Sequence, residues 1–110
     1  MFNVGAGVDK LLGLQLPPGL RVIRLDDAGM GVQMAEYVCH AVIRHFREFA
    51  AYEDQAEQGS WVRRKPRSRA EFAVGILGLG VLGQQVAAAL RQFEFPLLGW
   101  SRGVRQVDGI

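Results

Sequence analysis

Three glycines in the run GLGVLG have the G-x-G-x-x-G spacing of turns that bind the pyrophosphate of a dinucleotide. In such a turn Gly78 permits a tight bend, Gly80 lets the backbone approach the pyrophosphate, and Gly83 lets the next helix pack closely. The N–H groups of Val81 and Leu82, at the start of that helix, face the anion. The spacing predicts a dinucleotide-binding turn, and the plainer alternative is that the glycines only shape the chain.

Ser101 and Arg102 follow the glycines by about 20 residues, where NAD-binding turns have an acidic residue that holds the adenosine ribose. A carboxylate there would repel a 2′-phosphate, whereas a hydroxyl and a guanidinium bind and neutralise one. The predicted cofactor is therefore NADP (NADPH) rather than NAD, with Arg105 as a further candidate ligand. The alternative is that these residues simply begin an exposed loop.

The elements around this motif follow from the hydrophobic pattern. Residues 72–77 form a short apolar run that fits a buried parallel strand, residues 81–93 have a helical apolar face, and residues 95–100 return to strand character. The order strand, glycine turn, helix, strand predicts an α/β fold: a Rossmann-type parallel sheet with a right-handed NAD(P)-binding βαβ unit.

Before the motif, residues 2–4 are predicted to form a strand, residues 8–14 a short helix and residues 20–25 a half-buried strand. Apolar residues at helical spacing then predict one long amphipathic helix from about residue 29 to 57. Its apolar face is expected to pack in the core or an interface, with the lining of a cleft as the alternative, and consists of Met30, Met34, Val38, Val42, Phe46 and Phe49. Asp26 or Asp27 is expected to cap this helix, and Gly59 to end it.

Composition excludes several classes of protein. The chain has 110 residues, 49% of them apolar and 22% charged, which is typical of one small globular fold. Its net charge of +2 is too small to indicate nucleic acid or a membrane as a partner. Cys39 is the only cysteine, so neither an intrachain disulfide nor a cysteine-rich zinc site can form, and no metal site is predicted. No apolar run approaches the roughly 18 residues of a membrane span, so we predict a cytoplasmic protein.

One local charge cluster requires a separate interpretation. Residues 63–69 contain five basic side chains, and Trp61 precedes them. Basic and aromatic residues together are used to bind single-stranded nucleic acid. Short charge runs are more often solvated loops, and we favour that interpretation.

Four segments in this order resemble the D-isomer-specific 2-hydroxyacid dehydrogenases, and within them the glyoxylate/hydroxypyruvate reductase A branch. The segments are VGAGVD at 4–9, RLDDAGMGVQMAEYV at 24–38, VGILGLGVLGQQVA at 74–87 and GWSR at 99–102. The resemblance implies an enzyme that reduces a small 2-oxoacid, glyoxylate or hydroxypyruvate, with NADPH, and that forms a homodimer. It implies that residues 1–28 end a flavodoxin-like substrate domain and that residues 29–110 begin the Rossmann domain.

The resemblance also assigns individual residues. Ala6 and Gly7 correspond to the loop whose backbone N–H groups bind the substrate carboxylate. The catalytic arginine, histidine and carboxylate of the family lie beyond the point that matches the last residue, so no catalytic residue is assigned. His40 and His45 are predicted to be ordinary helix residues, and Cys39 a packing residue.

The two ends of the chain look like truncations, so an inactive internal fragment of the full-length relative is expected. The alternative function is a non-catalytic nucleotide-binding or self-associating module, because missing strands and helices would leave apolar surface exposed.

Overall fold

A computed structural model describes residues 1–5, 7–25, 28–104 and 106–110 of the chain. The predicted caps Asp26 and Asp27 lie outside the described residues. The chain divides into two compact units, Met1–Met30 and Gly31–Ile110, and each unit contains one pair of parallel strands.

The first unit has little regular structure. Strand β1 (Phe2–Asn3) pairs in parallel with β2 (Ile23–Arg24), so the strand predicted over 20–25 is much shorter than expected. The prediction of a helix over residues 8–14 is also wrong, because only a 3-10 turn forms at Asp9–Leu11. A short helix is unstable without apolar packing, and no described residue of this unit is buried.

Two helices follow the first unit, α1 (Met30–Phe46), which starts at the last residue of that unit, and α2 (Phe49–Glu57). The prediction of one continuous helix is therefore wrong. The break lies at Glu48, whose φ of 56° is in the left-handed region. A left-handed residue cannot continue a right-handed helix, and the chain therefore bends there.

The predicted end of this helical segment is confirmed. Gly59 has a φ of 63°, its N–H donates to Ala56, and the N–H of Ser60 donates to Gln55. These two hydrogen bonds satisfy the last carbonyl groups of α2 and form a Schellman motif, which requires the left-handed conformation that glycine adopts without strain.

The predicted βαβ unit is confirmed with shorter elements. Strand β3 (Val74–Leu77) leads through the glycine turn into α3 (Val81–Arg91), and strand β4 (Leu97–Trp100) then pairs with β3 in parallel. The helix ends at Arg91 rather than 93, because the N–H groups of residues 92–94 bond to carbonyls three residues back instead of four, and Glu94 then turns the chain with a φ of 57°.

The core of the second unit lies between this two-stranded sheet and its helices. Its buried residues are apolar: Phe46, Ile76, Leu79, Val86, Ala87, Leu90, Phe95 and Leu97. Of the predicted helical stripe only Phe46 is buried, while Val38 and Val42 pack partly against the core and Met30, Met34 and Phe49 are exposed.

The other face of the sheet is exposed in the part of the chain that the structure describes. Leu77, Leu98 and Trp100 point away from the core and are 86%, 63% and 59% exposed. Parallel sheets are normally covered on both faces.

In the described part of the chain, no helix is both long and apolar enough to cross a membrane.

Candidate dinucleotide-binding turn

The glycine turn connects the carboxyl end of β3 to the amino end of α3. Gly78 has a φ of 105°, which side-chain-bearing residues rarely adopt, and its N–H donates to the Trp100 carbonyl at 2.8 Å. The first glycine therefore turns the chain while the turn stays hydrogen-bonded to the end of β4.

Gly83 brings the helix against the turn. A Cβ atom built on Gly83 would lie 1.9 Å from the Gly78 carbonyl oxygen, far inside van der Waals contact. Only glycine therefore permits this close approach between the first turn of α3 and the end of β3.

Gly80 faces open space. A Cβ atom built there meets no atom within 4 Å, and Gly80 precedes α3 in an extended conformation. The first hydrogen bond of α3 is from the Gln84 N–H to the Gly80 carbonyl at 3.0 Å. Within the described chain, the N–H groups from Gly80 through Gly83 have no acceptor. Four unpaired N–H groups beside open space suit a pyrophosphate, so these residues fit a dinucleotide.

Ser101 and Arg102 directly follow β4, next to the Trp100 carbonyl that holds the glycine turn. The Arg102 side chain is exposed and has no partner among residues 1–5, 7–25, 28–104 and 106–110. The Ser101 hydroxyl donates to the Gly103 carbonyl, so it must rotate before it can donate to a phosphate. Arg105 lies outside the described residues.

Three residues that the sequence analysis did not single out support the turn. Leu79 is buried, and a Cβ atom at Gly99 would lie 2.8 Å from its Cδ1 atom. Gln84 donates from Nε2 to the Leu79 carbonyl at 3.0 Å. Only the role of Gln84 has a signal in the sequence, which is an amide side chain directly after the third glycine of the motif.

The predicted substrate loop follows β1 in the first unit. Ala6 lies outside the described residues, and Gly7 is exposed. The Asn3 side chain donates from Nδ2 to the carbonyl groups of Gly5 and Gly7, both at 2.8 Å. Asn3 was not predicted, and it ties this loop to β1.

The basic segment at 63–69 is largely bound to the protein itself. Arg64 and Arg67 both contact the Glu48 carboxylate, at 2.7 and 3.4 Å. These arginines lower the pKa of Glu48, chiefly through the hydrogen bond from Arg64. Arg69 lies over the rings of Phe46 and Phe95, 5.1 and 4.8 Å from their centroids. Three of the five basic side chains are thus used to hold the helix bend and the core.

Cys39, His40 and His45 all lie on α1, as the sequence predicts. Cys39 packs against the core, and burial raises the pKa of its thiol, which disfavours the reactive thiolate. His40 and His45 line an open groove of about 530 Å³ beside the helix bend. The described residues contain no group of three or more histidine, cysteine or acidic side chains that could hold a metal ion.

Residues 39–109 match the model of the D-isomer specific 2-hydroxyacid dehydrogenase NAD binding domain. The whole chain is similar to glyoxylate/hydroxypyruvate reductase A of Yersinia enterocolitica, at 42% identity, and of Serratia proteamaculans, at 41%. The chain spans 37% of the length of each of these curated relatives.

Solved structures of 2-hydroxyacid dehydrogenases are also similar to this chain. A D-isomer specific 2-hydroxyacid dehydrogenase from Xanthobacter autotrophicus in complex with NADPH matches with a TM-score of 0.82 and 40% identity, over 98% of this chain and 34% of that one. An NADPH-dependent glyoxylate/hydroxypyruvate reductase from Sinorhizobium meliloti in complex with NADP and sulfate matches with a TM-score of 0.83 and 37% identity, over the same shares.

Proposed function

This chain belongs to the D-isomer specific 2-hydroxyacid dehydrogenase family, and we propose that it supplies the NADPH-binding turn of a reductase. The reaction is the reduction of a small 2-oxoacid, glyoxylate or hydroxypyruvate, to the 2-hydroxy acid. The observation that supports this most directly is the row of unpaired N–H groups from Gly80 through Gly83 beside open space.

Each residue of the turn has a separate task in this proposal. Bound NADPH supplies the hydride. The N–H groups of Val81 and Leu82 bind the pyrophosphate, because they begin α3 and have no acceptor within the described chain. Gly78 and Gly83 give the turn its shape, and Gly80 leaves room for the phosphate oxygens.

Ser101, Arg102 and Arg105 bind the 2′-phosphate in this proposal. Arg102 is the main ligand because its guanidinium is exposed and lacks a protein partner in the described chain. Charge-assisted hydrogen bonds to a phosphate are about twice as strong as neutral ones, which favours NADPH over NADH.

The first unit contributes to substrate binding in the same proposal. The backbone N–H groups of Ala6 and Gly7 bind the substrate carboxylate, and residues 1–28 are the end of the substrate domain while residues 29–110 begin the Rossmann domain. The hydrogen bonds from Asn3 to Gly5 and Gly7 support this, because they restrain the loop. We assign no catalytic residue in this chain. We also propose a cytoplasmic homodimer, in keeping with the family resemblance and the single cysteine.

Gly80→Ala tests the binding turn. The added methyl group meets no protein atom but occupies the space proposed for the pyrophosphate, so the melting temperature should stay unchanged while NADPH binds at least about tenfold more weakly. Fluorescence titration with NADPH measures this. Gly13→Ala, which also adds a methyl group in open space, is the matched control. Failure of the unsubstituted chain to bind NADPH would overturn the proposed function.

Arg102→Ala tests the cofactor preference. Loss of the guanidinium should weaken NADPH binding by about 10- to 100-fold through lost charged hydrogen bonds and leave NADH binding unchanged. Arg63→Ala removes another exposed guanidinium, from a segment outside the turn, and serves as the control. Equal loss for both cofactors would contradict the assignment of Arg102 to the 2′-phosphate.

The second candidate function is a non-catalytic nucleotide-binding or self-associating module. The exposed sheet face with Leu77, Leu98 and Trp100 favours it, because exposed apolar surface promotes association. Neither candidate expects this chain alone to oxidise NADPH, because no catalytic residue is assigned to it. Sedimentation of the chain at increasing concentration therefore tests the second candidate, and a chain that stays monomeric would contradict self-association through this face.

A further inference from the structure

We infer that Gln84 is a positioning residue, one that orients the Leu79–Gly80 peptide so that the Gly80 N–H faces the bound pyrophosphate. The inference rests on the proposed function of the turn. It concerns a side chain that the G-x-G-x-x-G spacing does not specify, because the motif ends one residue earlier, at Gly83.

The geometry of a peptide group supplies the first step. The peptide is planar and trans, so its N–H and C=O groups point in opposite directions. Gln84 Nε2 donates to the Leu79 carbonyl at 3.0 Å, which holds that oxygen on the helix side of the turn. The Gly80 N–H is thereby held on the opposite side, and it has no acceptor within the described chain.

The position of Gln84 on α3 explains why its side chain reaches the turn. Helical side chains lean toward the amino end of their helix, so a residue in the second turn covers the backbone before the first. Gln84 is the fourth residue of α3, which begins at Val81. The same residue therefore contributes its backbone N–H to the Gly80 carbonyl and its side chain to the Leu79 carbonyl.

Two further contacts leave this peptide few alternatives. The Leu79 side chain is buried, in space that a Cβ atom on Gly99 would occupy. The N–H of Gly78 is bound to Trp100 at 2.8 Å. The remaining freedom is rotation of the Leu79–Gly80 peptide plane, since Gly80 has no side chain to resist it. A rotated peptide would direct a carbonyl oxygen at the pyrophosphate, and the two partial negative charges would repel.

Gln84→Met tests the inference, because methionine keeps the length of the side chain and removes the donor. NADPH should bind about three- to tenfold more weakly, since a single neutral hydrogen bond is lost. Binding of adenosine 2′-phosphate, which carries the 2′-phosphate but no pyrophosphate, should stay unchanged. Gln92→Met makes the same substitution directly after the carboxyl end of α3 and should leave both affinities unchanged.

A measurement without ligand separates this inference from the proposed function. The carbonyl ¹³C resonance of Leu79 and the amide ¹H resonance of Gly80 should both shift in Gln84→Met and stay in place in Gln92→Met. Unshifted resonances in Gln84→Met, or equal weakening of both ligands, would overturn the positioning role. Absence of NADPH binding by the unsubstituted chain would instead overturn the proposed function while these resonances still report the peptide orientation.

Discussion

The two strand pairs of this chain have the same local plan and very different packing. In both pairs a strand is followed by a glycine-containing loop and the partner strand is parallel. The pair β1–β2 has two residues per strand and no buried side chain, whereas β3–β4 has four residues per strand and lies against a core of eight buried side chains. The difference follows from α3, which supplies Val86, Ala87 and Leu90 to that core.

The comparison shows what makes a glycine loop into a defined turn. Gly5 and Gly13 have open space where a side chain would be, so nothing near them requires glycine. Gly83 contacts the backbone of Gly78, and this contact exists because α3 is packed on the sheet. The close approach at Gly83 is therefore a consequence of the helix that packs against the turn.

Leu90→Ala should have the largest effect, because Leu90 is fully buried at the centre of the second unit. Removing a buried leucine side chain costs about 3–5 kcal/mol of the free energy of unfolding. Leu12→Ala, at a leucine that is 79% exposed in the first unit, should cost less than about 0.5 kcal/mol. Urea unfolding followed by circular dichroism measures the free energy of unfolding of both variants. Similar losses of stability would contradict the difference in packing between the two regions.

Gly83→Ala should come next. The added Cβ atom would lie 1.9 Å from the Gly78 carbonyl, and this overpacking should cost about 1–3 kcal/mol and disrupt NADPH binding. Gly13→Ala should leave both quantities unchanged. Thermal unfolding with NADPH titration is the measurement, and a stable Gly83→Ala chain that binds normally would show that the close approach is dispensable.

Arg69→Met should have an intermediate effect on the second unit. The substitution removes the charge above the Phe46 and Phe95 rings and the hydrogen bond to the Phe93 carbonyl, at a cost of about 1–2 kcal/mol. Arg63→Met changes an exposed side chain in the same segment and should have almost no effect. Chemical denaturation of the two variants side by side is the test, and equal stabilities would mean that the aromatic contacts of Arg69 contribute nothing.

Glu48→Gln should have the smallest effect, a fall of about 1–4 °C in melting temperature, because ion pairs near the surface contribute little. The pKa of Glu48 is lowered in the folded chain, mainly by its hydrogen bond from Arg64. Its contribution is therefore fully present above the ordinary glutamate pKa of about 4.3 and is lost as the pH falls below that value through the lowered pKa. Melting curves across this range should converge for Glu48→Gln and the unsubstituted chain at low pH, and a constant gap would contradict the ion-pair explanation.

The sequence predicted the βαβ unit well and the helical segment before it poorly. Gly78, Gly80 and Gly83 stand between an apolar run and a helical pattern, and that local information was sufficient to predict strand, turn and helix. The bend at Glu48 was missed because the apolar spacing continues through it. Glu48 takes the left-handed conformation while its carboxylate binds Arg64 and Arg67, and these partners are 16 and 19 residues away.

The sequence by itself determined the fold class, the glycine turn and the family of this protein, because each is carried by short local patterns and by their order along the chain. Tertiary structure decided which face of the β3–β4 sheet is covered, where the long helix breaks, and which donor holds the turn. The three glycines do not specify a donor for the Leu79 carbonyl. That carbonyl is bound by Gln84 because the side chain of this residue reaches back along α3, which buried side chains and the close approach of Gly83 to Gly78 hold against the turn.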